Sequence, residues 1–212
     1  MTEPRRTVYV VDDDASMRKS LRRLLGTAGY QVETFASADE FLAHAPSSEP
    51  GCLLLDLKMP GRSGLELQDA LVAARKLIPI VFVTGHGDVA TSVRAMKGGA
   101  VDFLTKPYSP EELLEAVGRA MAKDRWDRRE QAQLTELEGR ARALTQREGE
   151  VLRLVVRGLL NKQVAAELGI SEKTVKVHRA RVMDKMGADS MADLVRMAGR
   201  LPERAESNRR PG

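Results

Sequence analysis

The chain has 212 residues, of which 42% are hydrophobic, so it is long enough for one large domain or two smaller ones. No apolar run reaches the ~20 residues of a membrane span, the first residues lack the apolar stretch of a secretory signal, and the single cysteine, Cys52, excludes an intrachain disulfide. Residues 1–120 carry 14 Lys and Arg against 16 Asp and Glu, whereas residues 144–212 carry 14 against 9. The basic C-terminal part suits nucleic acid, although a solvated Arg-rich surface would give the same balance.

Five short apolar segments alternate with helix-like patterns in the first 120 residues. They are TVYVV, QVETF, GCLLLD, IPIVFVTG and AVDFLTK, all rich in strand-forming residues. Strands that alternate with helices predict an α/β fold, a doubly wound five-stranded parallel sheet covered by helices on both faces. Ligands of such sheets bind at the carboxyl ends of the strands.

Polar residues stand at four of these predicted strand ends. They are Asp12, Asp13 and Asp14 after the first strand, Asp56 after the third, Thr84 after the fourth and Lys106 after the fifth. Because these ends share one edge of a parallel sheet, the residues are expected to converge. Crowded carboxylates repel, and a hard cation such as Mg²⁺ removes that repulsion. An ammonium and a hydroxyl beside them suit phosphoryl oxygens, and one carboxylate then has the position of a nucleophile.

The remainder of the chain is predicted to be helical. Residues 123–143 are highly charged and contain no proline, which indicates a helical linker. Thr145 and Glu148 form a capping-box pattern at the start of the next helix. A shorter helix, a turn through Gly169 and a longer helix from Ser171 to about Met186 then indicate a helix-turn-helix. One more short helix covers 190–199, and the composition from Leu201 onward is typical of disorder.

The longer of the two helix-turn-helix helices has two different faces. At 100° per residue, Val175, Val182 and Met186 fall on one side and are expected to face a core. The opposite side carries Lys173, Lys176, Val177, Ala180 and Arg181. A basic face with small residues suits the DNA major groove, and a solvated amphipathic helix is the alternative.

The motifs VVDDD, LLLDLKMPGRSG, VTGHGD and FLTKP resemble those of bacterial response-regulator receiver domains, which have a flavodoxin-like fold. The resemblance covers residues 7–120. It implies that Asp56 accepts a phosphoryl group and that Thr84 and Lys106 contact it. It also implies Mg²⁺ as cofactor, held by Asp12, Asp13, Asp56 and the main-chain carbonyl of Lys58, with Asp14 peripheral.

Further roles come from the same resemblance. Thr84 and Phe103 are the expected switch pair, in which the aromatic ring follows the threonine when phosphorylation moves it. Lys58 and His86 occupy positions that tune phosphoryl lifetime in the family. The Lys106–Pro107 bond is often cis there. We also hypothesise that Val89, Val93 and Met96 supply apolar contacts to a second copy when the receiver is phosphorylated.

Residues 144–199 resemble the four-helix DNA-binding domain of the LuxR/NarL family, through LTQRE, GLLNKQVA and TVKVH. With the receiver motifs, the chain resembles the FixJ-like subgroup of response regulators. Lys176 and Val177 are then expected to approach bases, and Ala180 to lie where relatives can carry a longer residue. The expected phosphate contacts are Lys173, Thr174, Arg179 and Arg181.

The combined prediction is a cytoplasmic two-component response regulator and transcription factor. Its predicted parts are a receiver at 1–122, a linker at 123–143, a helix-turn-helix domain at 144–200 and a tail at 201–212. Its expected partners are a sensor histidine kinase, double-stranded promoter DNA, a second copy when phosphorylated and RNA polymerase, with no membrane. It would not be an enzyme beyond its own phosphorylation and dephosphorylation.

Three alternatives remain open at this stage. One is a metal-dependent hydrolase that uses Asp12, Asp14 and Asp56, which would leave the helix-turn-helix unexplained. Another is an RNA-binding antiterminator, although the deep, narrow major groove of RNA suits the basic helix poorly. The third is a partner-binding protein whose receiver is never phosphorylated, which the presence of Asp56, Thr84 and Lys106 disfavours.

Overall fold

The computed structural model describes residues 6–44, 50–76, 78–85 and 88–202. The chain divides between Arg128 and Arg129 into two compact units. The first unit contains a five-stranded parallel sheet in the order β2-β1-β3-β4-β5. Its strands are β1 (Thr7–Val11), β2 (Gln31–Phe35), β3 (Gly51–Leu55), β4 (Ile80–Thr84) and β5 (Asp102–Thr105). The helices α1 (Ala15–Thr27), α2 (Ala38–Ala43), α3 (Gly64–Ala73) and α4 (Val89–Lys97) alternate with the strands, and α5 (Pro110–Arg142) follows them.

The two faces of the sheet bury two separate cores, because successive strand side chains point to opposite faces. Tyr9 and Val11 pack with residues of α2, α3 and α4 on one face. Val8 and Val10 pack with residues of α1 and α5 on the other. The predicted doubly wound parallel sheet is thus confirmed.

Helix α5 runs without a break through the boundary between the two units. It begins at a capping box in which the N–H of Ser109 donates to Glu112 and the N–H of Glu112 donates to Ser109. Asp124, which is buried, accepts a 3.0 Å hydrogen bond from the N–H of Gly51 at the start of β3. Leu137 belongs to the core of the second unit. The predicted domain limits at 122 and 143 therefore fall inside or just after a single helix, and they stay predictions.

The second unit is helical in the residues that the structure describes. Beyond α5 it contains α6 (Gln146–Val156), α7 (Asn161–Leu168), α8 (Glu172–Met186) and α9 (Met191–Arg200). Thr145 and Glu148 form the predicted capping box. Gly169 ends α7 with a φ of 65°, a left-handed conformation that glycine adopts without strain, and Ser171 caps α8. This is the predicted helix-turn-helix, within a helical C-terminal domain.

The end of α9 differs slightly from the expected tail. Leu201, predicted to begin the tail, packs against the core of the second unit, and its N–H donates to the carbonyl of Ala198. Residues 203–212 lie outside the described part of the chain. Among the described residues, no helix combines the length and apolar character of a membrane span.

Candidate functional site

Two carboxylates and one ammonium meet at the carboxyl edge of the sheet. Val11 and Leu55 are paired in register, so Asp12 and Asp56 follow neighbouring strands at the same level. Nζ of Lys106 lies 3.0 Å from Oδ2 of Asp12 and 3.5 Å from Oδ1 of Asp56. Asp12 is 3% exposed and Asp56 is 8% exposed. The structure therefore brings together three of the residues that the strand ends predicted.

The electrostatics of this cluster reflect its burial. Burial raises the pKa of Asp56, and the negative charge of Asp12 adds to the effect, while Lys106 opposes it. Burial alone would lower the pKa of Lys106, but its hydrogen bond to Asp12 and the charges of both carboxylates outweigh that and raise it. The Lys106 ammonium thus partly compensates the negative charge of the two buried carboxylates.

The other acidic residues at this edge are arranged differently. Asp13 is exposed. Asp14 caps α1, because its Oδ1 accepts hydrogen bonds from the N–H groups of Ser16 and Met17. Its pKa is lowered by the hydrogen bonds from Ser16. Asp14 therefore has a local role in starting α1, which explains why a third carboxylate stands here.

The main chain of Lys58 contacts the carboxylate that follows the third strand. Its N–H donates a 3.1 Å hydrogen bond to Oδ2 of Asp56. This bond holds the Asp56 carboxylate while leaving the Lys58 side chain exposed. Within the described residues, no group of three His, Cys, Asp or Glu side chains surrounds one point as a finished metal site. Asp12 and Asp56 nevertheless present the hard oxygen ligands that Mg²⁺ prefers.

The predicted switch residues occupy the adjacent strands. Thr84, 1% exposed, ends β4 and is paired in register with Thr105. Phe103 is half-buried, and its ring lies 6.1 Å from that of Phe82, centroid to centroid. The Lys106–Pro107 peptide bond is cis. His86 lies outside the described residues.

Sequence reasoning missed Arg18 at this site. Nη1 of Arg18 donates a 2.6 Å hydrogen bond to the main-chain carbonyl of Asp12, the residue that ends β1 at the site. The signal was an arginine in the first turn of the helix that follows the acidic residues. Arg18 thus tethers α1 to the strand end that carries Asp12 and Asp13.

Helix α8 presents the predicted outer face. Val175, Val182 and Met186 are buried, as the helical wheel predicted. The residues predicted on the opposite side are all exposed, namely Lys173, Lys176, Val177, Ala180 and Arg181. The C-terminal end of α8 is held by Lys185, whose Nζ lies 2.7 Å from Oε2 of the buried Glu148.

Two residues predicted to contact phosphates have partners within the protein. The hydroxyl of Thr174 lies 2.8 Å from that of Ser171 at the helix cap. Nη1 of Arg179 donates a 2.6 Å hydrogen bond to Oδ1 of Asn161, the first residue of α7. Both side chains are half-buried, and Arg179 in this respect differs from the exposed cations Lys173, Lys176 and Arg181 of this helix.

Comparison with known protein families agrees with both halves of this geometry. Residues 8–118 match the response regulator receiver domain, and residues 142–198 match the luxR family of bacterial regulatory proteins. The receiver match includes all the clustered residues, and the second match includes the whole of α6, α7 and α8. The fold and the site thus define a receiver followed by a LuxR-type DNA-binding domain.

Known relatives and a solved structure match along most of the chain. Nodulation protein W of Bradyrhizobium diazoefficiens is 50% identical over 92% of this chain and 86% of its own. The transcriptional regulatory protein FixJ of Rhizobium meliloti is 45% identical over 91% of this chain and 94% of its own. The solved structure of the response regulator StyR has a TM-score of 0.80 and 49% identity, covering 92% of this chain and 98% of StyR.

The chain belongs to the two-component response regulators of the LuxR family, in the FixJ-like group. This class consists of transcription regulators rather than classical enzymes, which disfavours the metal-dependent hydrolase considered above. The domain pair implies a kinase partner and binding to DNA.

Proposed function

We propose that Asp56 accepts a phosphoryl group from a sensor histidine kinase in a Mg²⁺-dependent reaction. The observation that carries this proposal is the placement of the Lys106 ammonium against the buried carboxylates of Asp12 and Asp56. A buried carboxylate beside a fixed cation is suited to attack phosphorus, because the cation stabilises the added phosphoryl charge.

The transfer forms one bond and breaks one. A carboxylate oxygen of Asp56 bonds to phosphorus, the bond from phosphorus to the kinase imidazole breaks, and its electron pair stays on the imidazole nitrogen. Lys106 and the hydroxyl of Thr84 then bind phosphoryl oxygens. Hydrolysis of the same acyl phosphate by water restores Asp56. The receiver would thus catalyse its own phosphorylation and dephosphorylation and no other reaction.

The donor set fits Mg²⁺. The carboxylates of Asp12, Asp13 and Asp56 and the main-chain carbonyl of Lys58 would hold it. Burial raises the pKa of Asp56, and a dication beside its carboxylate would oppose that effect by favouring the charged form. When bound, Mg²⁺ neutralises charge on the carboxylates and on the incoming phosphoryl group.

Phosphorylation would act by shifting a two-state equilibrium. The phosphoryl group adds charge next to Thr84, which binds it, and Phe103 follows into the space that Thr84 leaves. The face of α4 would then pair with a second copy. Val89, Val93 and Met96 are exposed apolar residues on this helix, and their burial in a dimer would be favourable.

Dimers would bring two α8 helices to adjacent half-sites on promoter DNA. Lys176 and Val177 would approach bases, and the Ala180 methyl group would contact a thymine methyl group. Lys173, Thr174 and Arg181 would contact phosphates. RNA polymerase is a further proposed partner of the bound dimer.

Domain limits and location belong to the same proposal. We assign the receiver to 1–122, the linker to 123–143, the DNA-binding domain to 144–200 and a tail to 201–212. A bacterial transcription factor that meets its kinase and its promoter would work in the cytoplasm, where a lone buried thiol such as Cys52 stays reduced.

The test is intact mass after incubation with acetyl phosphate, with and without Mg²⁺, followed by sizing of the same samples. We expect a Mg²⁺-dependent gain of one phosphoryl group and the appearance of dimers. Asp56→Asn is the matched variant, because it keeps the size of the side chain and removes the nucleophile. If treated Asp56→Asn protein forms dimers to the same extent as treated wild type, the proposal is contradicted.

A further inference from the structure

Arg179 lies on the inner side of α8, unlike the exposed cations of that helix. At 100° per residue it stands about 40° from Val175 and about 60° from Val182, both of which are buried. Lys173 and Arg181 stand about 120° and about 160° from Arg179, and Lys176 stands about 60° from it on the side away from Val175. All three are exposed, whereas Arg179 is half-buried. Its direction is therefore toward α7 rather than outward.

The guanidinium has a specific acceptor there. Its Nη1 is 2.6 Å from Oδ1 of Asn161, which is the first residue of α7. A guanidinium only donates hydrogen bonds, so the Asn161 carboxamide must turn its oxygen toward Arg179 and its NH₂ group away. One bond thus joins the middle of α8 to the N-terminal turn of α7.

This placement is electrostatically unusual. The N-terminus of a helix carries partial positive charge, so a cation beside it is disfavoured unless a polar group intervenes. The Asn161 oxygen is that group. The hydrogen bond must offset the unfavourable interaction between the guanidinium and the positive N-terminus of α7. A role in fixing the angle between α7 and α8 explains why the contact is nevertheless present.

We propose that Arg179 is a positioning residue that sets α8 against α7 through Asn161, and that it does not itself bind DNA phosphate. The inference rests on the DNA-binding function proposed above. It separates Arg179 from Lys173 and Arg181, which remain the phosphate-contacting cations of this helix. Loss of the bond would let α8 tilt, so contacts to bases would be lost together rather than one at a time.

Asn161→Ala gives the sharpest test. It leaves the charge of Arg179 in place and frees it from its acceptor, at a helix position that tolerates alanine. If Arg179 acts through Asn161, both Asn161→Ala and Arg179→Met should weaken binding about tenfold, and the double variant should be no weaker than either single one. If Arg179 binds phosphate directly, Asn161→Ala should leave affinity unchanged or improve it.

Salt dependence provides a second, independent readout. The probe is a duplex that the wild-type full-length protein, treated with acetyl phosphate and Mg²⁺, selects from a randomised pool. Wild type and variants, treated in the same way, are titrated with it over a series of KCl concentrations. Lys173→Met should reduce the slope of log affinity against log salt by about one, because a phosphate contact is lost. Arg179→Met should keep the wild-type slope while losing affinity.

The outcomes separate the two levels of the proposal. Additive effects of Asn161→Ala and Arg179→Met, or a slope reduced by about one in Arg179→Met, would overturn the positioning role while leaving DNA binding intact. A phosphorylated wild-type protein that selects no duplex would overturn the DNA-binding function and this inference with it. Circular dichroism melting of each variant checks folding, and Asn161→Ala decides the question even if Arg179→Met unfolds.

Discussion

The ammonium of Lys106 lies 3.0 Å from Oδ2 of Asp12, closer than its 3.5 Å approach to Asp56. Lys106 therefore neutralises a carboxylate that is also a proposed Mg²⁺ ligand. Before phosphorylation, the ammonium and a bound dication would both be attracted to the Asp12 carboxylate. Because the two positive charges repel each other, each would weaken the binding of the other. The phosphoryl group would supply new oxygens for Lys106.

Lys106→Met should therefore bind Mg²⁺ more tightly than the wild type, by about tenfold, because one nearby positive charge is removed. Calorimetric titration with MgCl₂ measures this. Lys97→Met is the control, since Lys97 is an exposed cation at the far end of α4. Equal Mg²⁺ affinity in Lys106→Met and the wild type would argue against a shared site.

Val93→Asp should separate phosphorylation from dimerisation. Val93 is 46% exposed on α4, and an aspartate there would place an unpaired charge in the proposed interface. We expect normal phosphoryl incorporation by intact mass and dimers weakened at least about tenfold by sizing.

Val72→Asp is the matched control for this variant, because Val72 is also an exposed valine but lies on α3. Phosphorylated Val93→Asp that dimerises as well as Val72→Asp would exclude the α4 face as the interface.

The pair of Glu148 and Lys185 should make the second unit sensitive to acid. The hydrogen bond from Lys185 is the largest cause that lowers the pKa of Glu148 from 4.5 to about 2. Because the folded-state pKa is depressed, this stabilisation is complete above pH 4.5 and is lost as the pH falls toward 2. Urea unfolding across that range should show the loss.

Glu148→Gln should cost about 2 kcal/mol of unfolding free energy at pH 7 and progressively less below pH 4.5. The curves of variant and wild type should thus converge on acidification. Glu167→Gln, an exposed position on α7, should follow the wild type throughout. A constant difference between Glu148→Gln and the wild type at every pH would contradict the assignment.

Leu137→Ala should destabilise the second unit although residue 137 falls in the predicted linker. Leu137 is 6% exposed and packs with Leu152, Val182 and Met186. Truncation of a buried leucine to alanine costs about 2–5 kcal/mol. Thermal unfolding followed by calorimetry should show the transition of the second unit shifted and that of the first unit retained.

Gln131→Ala on the exposed side of the same helix should have little effect. A Leu137→Ala protein as stable as Gln131→Ala would mean that this part of α5 contributes no packing to the second unit and serves only as the predicted helical linker.

The local patterns of the sequence were sufficient for the fold and for the grouping of site residues. Alternating strands and helices require a parallel sheet, and a parallel sheet places its strand ends on one edge. Asp12, Asp56 and Lys106 were therefore expected to meet before any distance was known. The buried stripe of Val175, Val182 and Met186 followed in the same way from helical periodicity.

Particular partners did not follow from those patterns. Arg18 reaches the main chain of Asp12, and Arg179 reaches Asn161 across a turn. The helical wheel places Arg179 on the buried side of α8, but it cannot identify Asn161 as the hydrogen-bond acceptor. Family resemblance groups Arg179 with the phosphate-contacting residues, whereas we propose that it positions α8 through its hydrogen bond to Asn161.

The sequence by itself determined the order of elements, the edge at which the acidic residues gather and the face of α8 that is buried, because each depends on spacing along the chain. Only the tertiary structure decided which carboxylate oxygen Lys106 approaches and which group the buried Asp124 of α5 binds. Asp124 binds the N–H of Gly51, 73 residues away in sequence, and no periodicity links two such positions. The contact forms because α5 packs against the sheet and brings the Asp124 carboxylate to the N–H at the start of β3.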